Sequence, residues 1–292
     1  MTALICFGFG YSADHFVHAF GAKFDRIFGT VRDAERAAAL SMKGTSLKGV
    51  VFDGTSVTPE LHDAIIEATH VLVSVPPDEN GDPVLRAFGE QLASAKNLQS
   101  VVYLSTIGVY GDCGGAWVDE ATLPEPGAVR SRERLAAEQS WQLLGERRGI
   151  PVAILRLAGI YGPGQNALVQ LANGRARRII KPGQVFNRIH VGDIGQAIDA
   201  AFTRRASGIF NIADDEPTPP SEPIVFAAQL MGVAPPPEVA FDSAAPSMSP
   251  MALSFWQECR RVHNDKLKDV LGVRLLYPTY REGLRALQTN SS

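Results

Sequence analysis

Between Ala3 and Leu157 the chain alternates two patterns. Short apolar runs mark strands, and stretches with apolar residues three or four positions apart mark helices. Ala3-Leu4-Ile5-Cys6-Phe7 is apolar throughout and ends at Gly8, as suits a strand buried on both faces of a parallel sheet. Further strands are expected over 24–31, 50–52, 71–75, 100–104 and 152–157. Helices are expected over 14–20, with Gly21 as C-cap, then 34–42, 59–68, 83–94 and 128–148. Thr58 as N-cap and Pro59 in the first position open the third of these. Alternation at this spacing predicts right-handed βαβ units and a doubly wound parallel sheet, a Rossmann-type α/β fold.

After Tyr161 the alternation loosens. An extended segment over 186–191 is followed by a helix over 194–202, with Asp193 as N-cap, and by a strand over 208–212. From Pro217 to Pro250 proline is frequent, around one helix near 224–231. The expected domains are an α/β core over 1–165, completed by about 186–215, and a smaller C-terminal lobe from 166–185 and 216–292.

Composition narrows the function classes. The 292 residues are 45% hydrophobic and 20% charged, an ordinary globular balance. A net charge of −3 argues against nucleic acid as a partner. No apolar run approaches the roughly 20 residues that span a bilayer, so no membrane partner is expected. The first ten residues lack a basic leader segment and read as a buried strand and its turn, not a signal peptide. Cys6, Cys113 and Cys259 are too scattered for a disulfide framework, which points to a reducing cytoplasm. His15 and His18 lie at i, i+3 without a third ligand, so no metal is expected.

The chemistry begins at Gly8-Phe9-Gly10-Tyr11-Ser12-Ala13, a G-x-G-x-x-A turn between a strand and a helix. The first glycine permits the turn, and the second lets the backbone approach a pyrophosphate. The small sixth residue lets helix and strand pack closely. The free N–H groups of the helix start then face the anion. At the end of the second strand, Arg32 is a fixed cation suited to a 2′-phosphate, which favours NADP. Asp33 is the competing NAD reading, unless it caps the next helix. Arg32 as a solvated surface charge is the plain alternative.

The cofactor turn, Leu104-Ser105-Thr106-Ile107-Gly108-Val109-Tyr110-Gly111, Leu155-Arg156-Leu157-Ala158-Gly159-Ile160-Tyr161-Gly162-Pro163 and Arg188-Ile189-His190-Val191-Gly192-Asp193 together resemble the extended short-chain dehydrogenase/reductases, the NAD-dependent epimerase/dehydratase group. The resemblance covers about the first 215 residues. It implies a dinucleotide across the C-terminal strand edges and a small-molecule substrate between that edge and the lobe. It places Asp53, with Gly54 beside it, at the adenine, and Ser74, Val75 and Pro76 beside the nicotinamide ribose. Thr106 takes the place of the hydroxyl that bonds the substrate oxygen. Asp53 as a turn residue and Thr106 as a strand-end hydroxyl are the alternatives. The resemblance also implies a homodimer face on the long helix.

One departure stands out. The family's acid/base pair is a tyrosine with a lysine four residues later, and this chain contains no Tyr-x-x-x-Lys. The resemblance places Arg130 at the tyrosine and Arg134 at the lysine. A guanidinium does not give up its proton in a protein, so Arg130 cannot replace a phenol. Arg134 retains the capacity to bond a ribose hydroxyl. The two arginines, at i, i+4, form either an anion clamp or a solvated face with Arg134 paired to Glu138. Tyr110 is a substitute proton donor or a packed residue. Arg188 is a candidate for an acidic substrate group, and His190 reads as structural. The expectation is an NADP-dependent oxidoreductase or epimerase acting on a small polar or anionic carbonyl or hydroxyl compound. The alternative is a non-catalytic protein that senses the NADP/NADPH state.

Overall fold

The computed structural model describes residues 1–44 and 46–289. Its first half runs β1 (Ala3–Phe7), α1 (Tyr11–Phe20), β2 (Arg26–Val31), α2 (Ala34–Ser41), β3 (Leu47–Val51), α3 (Pro59–Glu67), β4 (His70–Val73), α4 (Pro83–Ser94), β5 (Ser100–Thr106), β6 (Trp117–Val118), α5 (Val129–Arg148) and β7 (Val152–Leu157). The second half continues with β8 (Gly159–Tyr161), α6 (Ala167–Ala172), β9 (Arg178–Ile180), β10 (Arg188–His190), α7 (Val191–Thr203), β11 (Gly208–Ile212), α8 (Glu222–Met231), β12 (Glu238–Ala240), α9 (Phe241–Ala244), α10 (Pro250–Gln257), β13 (Arg261–Val262), α11 (Asp265–Asp269) and α12 (Tyr280–Thr289).

Seven parallel strands form the central sheet in the order β11-β7-β5-β4-β1-β2-β3. Order reverses at β1, so the crevice beyond its C-terminal end is where such sheets bind ligands. The apolar runs are explained by two cores. One, around Phe16, Leu72, Leu155 and Ile198, packs α1 and α7 on one face. The other, around Phe7, Leu61, Phe88 and Trp141, packs α3, α4 and α5 on the opposite face. Thr58 caps α3 as its position predicts, accepting from the Leu61 N–H. Asp82 caps α4 and also accepts the Trp141 indole N–H at 3.0 Å. No helix among the described residues is long and apolar enough to cross a membrane.

The extended segment expected over 186–191 is present as β10, which pairs in parallel with β8 as a ribbon separate from the main sheet, Arg188 opposite Gly159. One expectation is corrected. Asp193 does not cap α7. The helix starts earlier, and His190 caps it by accepting the Gly192 N–H on Nδ1. The Asp193 carboxylate instead accepts the Leu276 and Tyr277 N–H groups, fastening the C-terminal segment to α7. Gly21 is the C-cap of α1, but in the right-handed region, and the chain continues into a short 3-10 turn.

The C-terminal half carries two small cores of its own. Tyr161, Ala167, Ile224, Ala227, Tyr280 and Leu284 bind α6, α8 and α12 together. Ile179, Ala244 and Trp256 form the other, with Phe186 and Phe241 against them. These elements overhang the C-terminal ends of β5 and β7.

Candidate active site

A cavity of about 1010 Å³ separates the sheet edge from the overhang. The core side contributes Gly10, Tyr11, Ser12, Ser74, Pro76 and Thr106. Helix α5 adds Arg130, Ser131 and Arg134, and the overhang adds Arg188, Phe255, Arg260 and Tyr280. The turn and Thr106, far apart in sequence, thus open onto one space.

The turn has the geometry its glycines predict. Gly8 has φ +88°, and a Cβ there would come within 2.9 Å of Ser74 Oγ and 3.0 Å of Val75 N. Ser74 in turn donates to the Gly8 carbonyl at 2.5 Å, locking β4 to the turn. A Cβ at Gly10 would meet nothing within 4 Å, so that side of the turn is open. Gly10 also begins α1 without a side-chain cap, which leaves the first-turn N–H groups free of side-chain acceptors. Open space beside uncapped N–H groups fits a pyrophosphate. Ala13 is fully buried against the core, as the close helix–strand contact requires, and Phe9 packs against the same core. The Tyr11 hydroxyl donates to the Pro163 carbonyl at 2.9 Å, and burial pushes its pKa up to about 12.

At the end of β2, Arg32 is exposed and has no ion-pair partner among the described residues. Asp33 is the N-cap of α2, its Oδ1 accepting from Arg36 N at 2.8 Å. Asp53 holds its own turn: its carboxylate accepts from the backbone and hydroxyls of Thr55 and Ser56. These bonds hold its pKa far below the usual carboxylate range. The carbonyl of Gly54 takes a bond from Arg86. Neither Asp53, Gly54 nor Arg32 lines the cavity.

Elsewhere in the cavity lining, Thr106 ends β5, and its Oγ1 accepts the Gly108 N–H at 3.0 Å. Its own proton remains available to a bound oxygen. A Cβ built on Gly108 would lie 3.1 Å from Ser131 Oγ and 3.3 Å from Thr106 Oγ1, so the two hydroxyls converge there. Sequence reading missed Ser131, which carries no motif. Arg134 donates through Nη1 to the Leu104 carbonyl at 3.0 Å and to the Tyr103 hydroxyl at 3.1 Å. Val75 presents its carbonyl to the same nitrogen at 3.5 Å. Arg130 is exposed at the cavity rim.

Two sequence expectations fail here. Arg134 does not pair with Glu138. That carboxylate is buried and bound to Arg156, with Arg156 Nη2 2.7 Å from Glu138 Oε2, and it also accepts the Ser105 hydroxyl. Tyr110 is not placed to give a proton to a substrate. It is 1% exposed, donates to Asn211 Oδ1 at 2.8 Å, and lies under the Arg156 guanidinium, outside the cavity lining. The 3-10 turn after β5 rotates it into the core.

Residues 84–213 match the NAD-dependent epimerase/dehydratase family model. A structure described as a functionally unknown conserved protein from Silicibacter pomeroyi is 45% identical, with 99% of each chain covered and a TM-score of 0.89. Residues 84–213, a little under half of the chain, form an NAD-dependent epimerase/dehydratase family domain. A 3-diazoavenalumate denitrifying reductase from a Streptomyces species is 26% identical over 97% of this chain and 99% of its own. A dTDP-glucose 4,6-dehydratase from Bacillus anthracis, solved with NAD, is 18% identical with a TM-score of 0.77, covering 99% of this chain and 96% of its own. That likeness extends the shared fold across both the sheet and the overhang.

Proposed function

We propose that the protein is an NADP-preferring enzyme of reductase or epimerase type, acting on a small polar or anionic carbonyl or hydroxyl compound. The observation that carries this reading is the single cavity joining the uncapped start of α1 to Thr106. Gly8, Gly10 and the N–H groups of Tyr11, Ser12 and Ala13 would hold the pyrophosphate. Ser74 and Pro76 would flank the ribose nearest Thr106, and Arg134 would offer it the N–H groups not spent on Leu104 and Tyr103. When bound, the dinucleotide supplies hydride chemistry. Thr106 orients the substrate oxygen by donating its hydroxyl proton, with Ser131 beside it. The full-length relative named as a reductase supports the reductase class.

Preference for NADP rests on Arg32. It stands exposed and unpaired at the β2 end, while Asp33 is engaged as a helix cap. A guanidinium there favours a 2′-phosphate, and an acid engaged elsewhere does not repel it. Calorimetric titration with NADPH, NADH, NADP and NAD tests this. Wild type is expected to bind NADPH about ten- to a hundred-fold more tightly than NADH, and Arg32→Ala to erase that margin. Equal binding of the two by wild type refutes the NADP preference, and no binding of any dinucleotide refutes the whole reading.

A second reading has one observation in its favour. Arg130 and Arg134 are the ionisable side chains that α5 turns to the cavity, and neither gives up a proton. A non-catalytic sensor of the NADP/NADPH state would show different affinities for the two forms and no turnover with any carbonyl compound.

A further inference from the structure

The cavity's charges are unequally compensated. Arg260 is paired with Glu258 at 2.8 Å, and its Nη1 also bonds the Gly111 carbonyl. Arg134 rests on Tyr103 and Leu104, and Arg130 reaches solvent. Arg188, like Arg134, has only neutral acceptors, but it stands on the overhang side of the cavity. It lies on β10 at the floor of the overhang, half-buried, with Nη1 donating to the Thr218 hydroxyl at 2.7 Å and the Phe186 carbonyl at 3.1 Å. Both acceptors are neutral, and no carboxylate forms an ion pair with it among the described residues.

The acids nearest to it leave it without an ion pair. Glu216 is taken by Arg281. Asp214 is 2% exposed, and its Oδ2 has no partner. Burial pushes the Asp214 carboxyl up to about 8, with Arg188 opposing the shift. The same burial pulls the Arg188 pKa down, yet a guanidinium stays protonated. The result is a partly desolvated cation with no carboxylate in ion-pair contact among the described residues, facing a cavity. Such a charge is costly unless something compensates it.

The surroundings say what kind of group that is. One guanidinium, with Nη1 fixed by two neutral acceptors, leaves a planar edge of N–H donors that matches a single carboxylate. Apolar groups share the overhang side of the cavity with it: Phe186, Pro223, Ile224, Leu284 and the ring of Tyr280, whose centroid lies 5.9 Å from the guanidinium carbon. We propose that the overhang half of the cavity is a carboxylate site, in which Arg188 takes the acid group of a substrate with an apolar body. This rests on the catalytic reading above and names the substrate class for it: an apolar or aromatic carboxylic acid whose reducible group reaches Thr106.

The test uses ω-phenyl carboxylates, from benzoate to 4-phenylbutyrate, with the matching amides and inorganic phosphate. NADP binding is read first by calorimetry, and each probe is then titrated into the saturated protein. Absence of NADP binding at the first step is the failure of the cofactor reading, recorded separately from the outcome for the carboxylate site. The latter is then read by titrating the same probes into the unliganded protein. At least one carboxylate is expected to bind ten-fold or more tightly than its amide. Arg188→Gln should abolish that margin with NADP affinity unchanged, and Arg188→Lys should restore part of it. If Arg188→Gln does not fold, Thr218→Val, which frees the guanidinium from its hydroxyl support, should weaken the carboxylate several-fold and spare the amide. The proposal is overturned if no carboxylate binds, if amides bind equally, if Arg188→Gln keeps the margin, or if phosphate displaces the carboxylate at lower concentration.

Discussion

Glu138 on α5 and Arg156 on β7 form an ion pair that is almost wholly shielded from water, with side-chain exposures of 1% and 2%. Arg156 Nε also lies 3.2 Å from both carboxylate oxygens. The pair joins the helix that carries Arg130 and Arg134 to the strand beside Thr106. Removing only the acid leaves a buried guanidinium without its counter-charge. Glu138→Ala should therefore lower unfolding stability by about 3–5 kcal/mol. Urea denaturation of the purified variant checks this, and a loss below about 1 kcal/mol would contradict it.

Gly8 and Gly10 should respond differently to the same substitution. Gly8→Ala forces a left-handed backbone and a contact with Ser74, so it should cost about 1–3 kcal/mol of stability as well as dinucleotide affinity. Gly10→Ala meets no protein atom within 4 Å and keeps an ordinary φ of −100°. It should melt near the wild-type temperature and still bind NADPH at least ten-fold more weakly, because the methyl group enters the ligand's space. Paired melting and titration curves separate the two outcomes.

Stability should depend on pH through two buried groups with opposite signs. The Asp214 pKa is raised to about 8 by burial, with Arg188 opposing and Asp215 and Glu216 reinforcing the shift. Between the ordinary carboxylate range and about 8, the folded chain keeps a proton that the unfolded chain has lost. Stability therefore falls as pH rises through that window, by up to ~1.4 kcal/mol per unit. The His190 pKa is lowered from 6.5 to about 4, by burial first and by His15 second; Tyr161 and Tyr277 pack its ring. There the unfolded chain takes the proton, and stability falls as pH drops from 6.5 towards 4. The two slopes offset each other in that lower range. Wild type should show a plateau below about pH 6.5 and a decline towards 8. Asp214→Asn should remove the decline, and His190→Gln should extend it to lower pH. Denaturant midpoints measured from pH 4.5 to 8.5 decide.

The sheet and its helices were legible because strands buried on both faces must be apolar runs, and because Thr58 and Pro59 mark a helix start by local chemistry. The glycine turn after β1 was legible because its glycines answer a backbone demand. Other features depend on partners far along the chain. Glu138 looked available to Arg134 one turn away, but its partner is on a strand across the core. Tyr110 sits four residues from Thr106, yet the intervening 3-10 turn directs it inward. Asp193 has the look of a cap, but its acceptor capacity is used by Leu276 and Tyr277, more than eighty residues on. The overhang draws one small core from α6, α8 and α12, so no local periodicity announces it.

The bond from the Tyr11 hydroxyl to the Pro163 carbonyl spans 152 residues of sequence. Tyr11 is the first residue of the helix whose start faces the cavity, and Pro163 lies where the chain leaves the core for the overhang. One side chain is thus a tie-rod between the two walls of the cleft. Any separation of these two segments must stretch or break this bond.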